Sequence, residues 1–278
     1  MHRSCATGLP MMRSCHLPAL VSTRGPVTLT FSILMQNFKL TIQYDGTHYH
    51  GWQMQANART IQGELTRVLS ILDHRPVTIY GAGRTDAGVH AEGQVANFFA
   101  EREFDPRLLR DAINGNLHSD IRILDVVPAP DSFNARFSAV KKTYQYRIWT
   151  SDVVSPFLCR YVYHYRGELD IENMRRSAES LLGQHDFTAF TVASSDAEDH
   201  VRTIMDLKLE QRSEEMLITI TADGFLRYMV RTIVGTLVDV GRKKRTASSV
   251  AVALESGDRS RSGPSAPANG LTLISVDY

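Results

Sequence analysis

The chain is predicted to fold as an α+β protein, and three observations predict it. Short stretches that alternate apolar and polar residues mark half-buried strands, as where Phe38, Leu40, Ile42 and Tyr44 alternate with Lys39, Thr41 and Gln43. Longer stretches with apolar residues three and four apart mark helices with one buried face. The two kinds recur in a similar mixed order along the chain, with too few parallel crossovers for a doubly wound sheet. At 278 residues, 43% of them hydrophobic, the chain can hold one large domain or two small ones.

The elements follow in order. The first strand ends at the turn pair Asp45-Gly46. Thr60 is placed to cap a helix whose Ile61, Leu65, Val68, Leu69 and Leu72 share a face. After Pro76, VTIYG (77–81) is a short strand and QVANFF (94–99) a second, with a Gly-rich loop between them. Asp105-Pro106 opens a helix through Ile113, and IRILDVV (121–127) is a strand. Pro128 and Pro130 punctuate the chain and place a boundary near residue 132. KTYQYRIW (142–149) is a strand in which Tyr144, Tyr146 and Ile148 share a face. Asp170 caps a helix with Met174, Ala178, Leu181 and Leu182 inward, ended by Gly183. VRTIMDLKLEQR and MLITITAD form a hairpin around Glu214-Glu215. Residues 225–240 form a helix with Phe225, Met229, Ile233 and Leu237 as its core stripe, stopped by Gly241. LTLISVDY closes the chain as a strand.

Residues 1–36 stand apart from this pattern. They contain Arg3, Arg13 and Arg24 without any acid, and their apolar run VTLTFSILM is far too short to span a bilayer. They read as a non-domain leader: translated sequence ahead of a start at Met35, or else an organellar transit peptide, with a secretory signal as a third reading. The body is then divided into halves at 37–132 and 133–278. The formal net charge is +1, so with three arginines in the leader the body carries −2. Any positive field must be local, with Arg84, Lys141, Lys142, Arg147, Arg227, Arg231 and the run 242–245 as contributors. The cysteines Cys5, Cys15 and Cys159 form neither a CxxC pair nor an even framework, which points to a reducing compartment.

Chemistry concentrates in the loop GAGRTDAGVHAEGQ (81–94). Asp86 lies two residues after Arg84 among glycines and alanines, which let a large ligand approach the backbone. In an extended conformation the two side chains point into one mouth, where a guanidinium would hold the carboxylate ionised. That state suits a nucleophile. A Gly-rich turn carrying a solvated ion pair has the same spacing, and the residues alone leave both readings open.

The string GRTDAGVHA followed by GQV resembles the signature of the TruA family of tRNA pseudouridine synthases. The resemblance extends to YDGTHYHGWQ (44–53), FNARFSAVKKTYQYR (133–147), FLRYMVRTIVG (225–235) and SAPANGLTLISVDY (265–278). It implies two pseudo-symmetric α+β halves that form one extended, mainly antiparallel sheet with a central RNA-binding cleft. It also implies isomerisation of uridine to pseudouridine at positions 38, 39 and 40 of the tRNA anticodon arm. Asp86 matches the catalytic aspartate. Arg84 matches the arginine that enters the RNA as the base leaves, and Tyr144 the tyrosine that lies against the flipped uracil. Arg231 matches the arginine that pairs with the aspartate, and Leu271 an apolar contact to the base. Tyr144 and Tyr146 are alike as strand residues, and the resemblance alone selects Tyr144. Met54 stands where the family commonly has a basic residue.

The reaction is an internal rearrangement, so no cofactor, nucleotide or metal is expected. The implied partners are tRNA, through its anticodon stem-loop, and a second copy of the chain, with no membrane. The location is cytoplasmic, or organellar if residues 1–36 are a transit peptide. The rival from a different class is a non-catalytic RNA-binding protein that keeps the cleft. A phosphate-binding loop is disfavoured because the Lys-Ser/Thr and GxGxxG spacings are missing. Glycoside hydrolysis would need a second carboxyl, for which Glu92 is the only nearby candidate.

Overall fold

The computed structural model describes residues 35–192 and 199–278. The leader expected over 1–36 lies outside the described residues except for its last two, and Gln36 already belongs to a strand. Among the described residues ten strands join one sheet. They are β1 (Gln36–Tyr44), β2 (Ile79–Gly81), β3 (His90–Ala100), β4 (Ile121–Ala129), β5 (Lys141–Trp149), β6 (Tyr163–His164), β7 (Gly183–Asp186), β8 (Val201–Arg212), β9 (Glu215–Ala222) and β10 (Leu271–Asp277). The order is β4-β1-β3-β10-β5-β9-β8-β7, with β2 on β3 and β6 on β5. Pairing is antiparallel except for β3 with β10 and β5 with β6. This is the α+β class that the alternating patterns predict, with the mainly antiparallel sheet that the resemblance implies.

Five helices accompany the sheet among the described residues: α1 (Ile61–Leu72), α2 (Pro106–Asn116), α3 (Ile171–Glu179), α4 (Met229–Gly241) and α5 (Ser249–Ser256). Thr60 accepts from the Gly63 N–H, Asp105 from Arg107 and Leu108, and Asp170 from Asn173, so each expected cap is made. In β1, Phe38, Leu40, Ile42 and Tyr44 are buried, and they form one core with α1 residues Ile61, Leu65, Val68 and Leu69. The described residues form one compact unit.

Several boundaries differ from expectation for identifiable reasons. Helix α4 starts at Met229 rather than Phe225, because Tyr228 takes a left-handed φ of 62° and breaks the helix there. Phe225 keeps helical spacing by coincidence and reaches the core from a loop, its ring centre 5.0 Å from that of Tyr144. Every α4 residue except Arg231 is buried, so this helix has no solvent face for a stripe to define. Helix α3 stops at Glu179 and leaves Leu182 exposed rather than inward. The turn between β8 and β9 sits at Ser213 and Glu214, with Glu215 already paired to Arg212. β3 begins at His90, four residues early. β6, β7 and α5 carry too few residues to show a period.

Candidate active site

Asp86 lies in the loop between the antiparallel partners β2 and β3. Side chains and backbone from three directions fix that loop. Gly83 O accepts from Gln94 at 3.0 Å, and Ala82 O accepts from the Lys142 ammonium at 2.7 Å. Thr85 Oγ1 shares a hydrogen bond with the buried Tyr44 hydroxyl at 2.8 Å, and Val89 N–H closes a turn onto Asp86 O. The segment 44–53 clamps the outer side. Trp52 N–H donates to Thr85 O, Gly88 N–H to Tyr49 O, and Gly46 N–H to His90 Nδ1.

Two glycines in that clamp are obligatory. A Cβ on Gly46 would stand 2.0 Å from Val89 O, and one on Gly51, where φ is +87°, would stand 2.5 Å from Thr85 O. In the sequence Asp45-Gly46 marks only a turn. The clamp leaves no signal there because its partners are loop carbonyls, which no periodicity marks.

Arg231, on α4, reaches the loop from the other half of the chain. Its Nη1 stands 3.2 Å from Asp86 Oδ2, and both side chains are more than four-fifths removed from solvent. Its Nε donates to Ala266 O at 2.8 Å, which fixes the orientation of the guanidinium. The group also lies 4.9 Å from the Tyr228 ring, with Arg227 on the same ring at 5.4 Å. Arg227 therefore joins the site from the loop before α4, not as a helix neighbour of Arg231.

The carboxylate is held by the arginine that the resemblance implies, Arg231, and not by Arg84, the neighbour that the local spacing offers. Burial pushes the Asp86 carboxyl above its ordinary range, while Arg231, and more weakly Arg227, pull it back. The guanidinium bonded to Asp86 is thus that of Arg231. Arg84 Nε instead donates to Gln53 Oε1 at 3.0 Å, which ties it to the 44–53 clamp.

Tyr144 is buried on β5, in register with Leu273 of β10 and Ile220 of β9, with the Phe225 ring edge-on to it. Burial, then the charges of Tyr44 and Asp86, push its hydroxyl far above the ordinary tyrosine range, so it remains protonated. The neighbouring Tyr146, indistinguishable by sequence, is committed elsewhere: its hydroxyl donates to Pro267 O at 2.7 Å. Leu271 is buried at the start of β10, opposite Tyr146 in register, and belongs to the core cluster.

The other basic candidates divide. Lys141 pairs with Asp277, Arg147 with Glu215, and Arg242 and Arg245 with Asp239. Among the described residues Lys142 and Arg227 have no acid within 4.0 Å. A cavity of about 370 Å³ is lined by Gln43, Tyr44, Asp45, His90, Gln145 and Arg147 among others, but not by Asp86, Tyr144 or Arg231. The Asp86 chemistry does not open into it. Among the described residues no three His, Cys, Asp or Glu side chains gather as a metal site. None of their helices is long and apolar enough to cross a membrane.

A family model described as tRNA pseudouridine synthase matches residues 40–138 and 177–278, which include Asp86, Arg84, Arg231 and Leu271 but not Tyr144. The protein named tRNA pseudouridine synthase A from Acetivibrio thermocellus is 44% identical over 244 residues, covering 88% of this chain and all of the relative. Proteins of the same name from Bacillus sp. strain KSM-64 and Anoxybacillus flavithermus are each 42% identical over 245 residues. Each covers 88% of this chain and, respectively, 100% and 99% of the relative.

Proposed function

This chain belongs to the tRNA pseudouridine synthase family, isomerases of tRNA uridine, and from that premise we propose that its targets are uridines 38, 39 and 40 of the anticodon arm, with Asp86 as the catalytic group. The observation that carries the reading is the ion pair between Asp86 and Arg231, beside a buried Tyr144. Pseudouridine formation breaks the C1′–N1 bond, turns the uracil and rejoins it through C5. One carboxylate suffices, whether it attacks C1′ or removes the 2′ proton. Arg231 keeps that carboxylate anionic and aimed despite its burial.

The target base must leave its stack, which costs a few kcal/mol and is offset by stacking in the pocket. Tyr144 supplies a ring to lie against the uracil and a hydroxyl that stays protonated for proton transfer. Arg84 enters the space the base vacates, and Leu271 meets the base from the apolar side. The halves 37–132 and 133–278 flank the cleft, one bringing Asp86 and the other Arg231. A body of charge −2 gathers more basic surface by pairing two copies around one tRNA, so the working form is a homodimer, in the cytoplasm with its substrate.

The test is pseudouridine mapping of tRNA from cells lacking the gene. The reading expects positions 38, 39 and 40 to revert to uridine and to recover when the gene is restored. Intact anticodon arms with losses in the T-arm or in ribosomal RNA would refute it.

A further inference from the structure

The loop between β4 and β5 is held with unusual completeness. Asn37 and Asn97, both fully buried, are bonded to each other at 3.0 Å, and Asn37 donates to Pro130 O and Phe133 O at 2.9 Å each. Asn97 Oδ1 accepts from the Ala135 N–H at 2.8 Å, and the Tyr278 hydroxyl donates to Ala135 O at 2.9 Å. Asn134 Oδ1 accepts from the backbone of both Arg136 and Phe137. From this fixed frame Phe137 projects with 80% of its surface exposed, and the Arg136 guanidinium lies 5.5 Å from the ring centre. A large apolar ring presented to water on an immobilised loop reads as a contact surface.

The neighbourhood says what it contacts. Arg136 has no acid within 4.0 Å among the described residues, nor has Lys142, whose ammonium bonds the catalytic loop at Ala82 O. Burial, with the charges of Arg136 and Arg202, lowers the Lys142 ammonium to about 8. Two cations crowd together here without a counter-ion among the described residues, adjoining the loop that carries Asp86. An exposed ring beside one of these cations matches a nucleotide, which offers a π-face and an anion together.

We propose that Phe137, Arg136 and Lys142 form a second RNA contact at the edge of the cleft, where a base flanking the target stacks on Phe137 and a backbone phosphate sits between Arg136 and Lys142. This rests on the tRNA reading above, since it places the flanking nucleotide relative to the Asp86 loop.

The experiment measures binding of an anticodon stem-loop RNA by the full-length chain across a salt series, with turnover followed in parallel. Phe137→Ala should weaken binding about tenfold, with the loss appearing in KM rather than kcat, and Phe137→Trp should restore it to within about twofold of wild type. Arg136→Gln should reduce the slope of log affinity against log salt by about 0.7 to 0.9, one phosphate's share. Phe137 is exposed, so an unchanged Tm confirms that the fold is intact. Binding by Phe137→Ala within twofold of wild type would overturn the proposal. So would a Trp variant no better than Ala, or a loss confined to self-association. A wild-type chain that binds this RNA without forming pseudouridine would refute the functional reading, while the Phe137 series would still decide the contact.

Discussion

Asp86 and Arg231 are 145 residues apart in the chain and 3.2 Å apart in the fold. The contact joins a loop between two strands to α4, a helix in which every residue but Arg231 is buried. Arg231 stabilises the charged form of a carboxyl that burial pushes toward its neutral form, and the sign of the net shift is upward.

A pH prediction follows from that sign. If Asp86 must be ionised, activity rises with pH through its folded-state pKa, so the acid limb of kcat lies above the ordinary carboxylate range. Arg231→Met removes the main group opposing burial, so the limb should move to higher pH, with kcat at neutral pH down by about a hundredfold. A pH–rate profile of both proteins under single-turnover conditions checks this. An unmoved acid limb would show that Arg231 does not set the state of Asp86.

The clamp around the loop predicts that Gly51→Ala damages activity out of proportion to stability. The added Cβ meets Thr85 O, next to Asp86, in a backbone conformation that alanine adopts at a cost of about 1 kcal/mol or more. Tm should fall by a few degrees while kcat falls at least tenfold, since small displacements of a reacting group are costly. Thermal unfolding and turnover of the same sample give both numbers.

Tyr144 and Tyr146 should separate by phenotype. Tyr144→Phe removes a hydroxyl near Asp86 and should cut kcat by about a hundredfold with Tm unchanged. Tyr146→Phe removes the bond to Pro267 O and should cost about 1 kcal/mol of stability, a few degrees in Tm, with the smaller effect on kcat.

The contrast between those two tyrosines shows how far the sequence could be read. Strand and helix identities were legible wherever apolar residues repeat over several turns or alternate over six or more positions, as in β1, α1, β5 and β8. The caps Thr60, Asp105 and Asp170 were legible because capping is local. What stayed hidden is long-range. Periodicity carries Phe225 into α4, and only the left-handed Tyr228 excludes it. Spacing alone offers Asp86 only Arg84, and it took the resemblance, not periodicity, to name Arg231, to which the carboxylate is bonded. Gly46 reads only as a turn residue, and Gly51 carries no local signal, until the carbonyls they accommodate are seen. Lys142 reads as surface charge until its ammonium is found on Ala82 O.

The most direct measurement incubates the purified chain with an unmodified tRNA transcript and maps pseudouridine, for wild type and for Asp86→Asn, without added metal or nucleotide. The amide keeps the shape of the carboxylate but is neither nucleophile nor base. The expected result is conversion at positions 38, 39 and 40 by wild type, with Asp86→Asn slower by at least about a thousandfold while its Tm and RNA affinity remain close to wild type. Asp86→Asn activity within tenfold of wild type would contradict the account, because another group would then be carrying the chemistry.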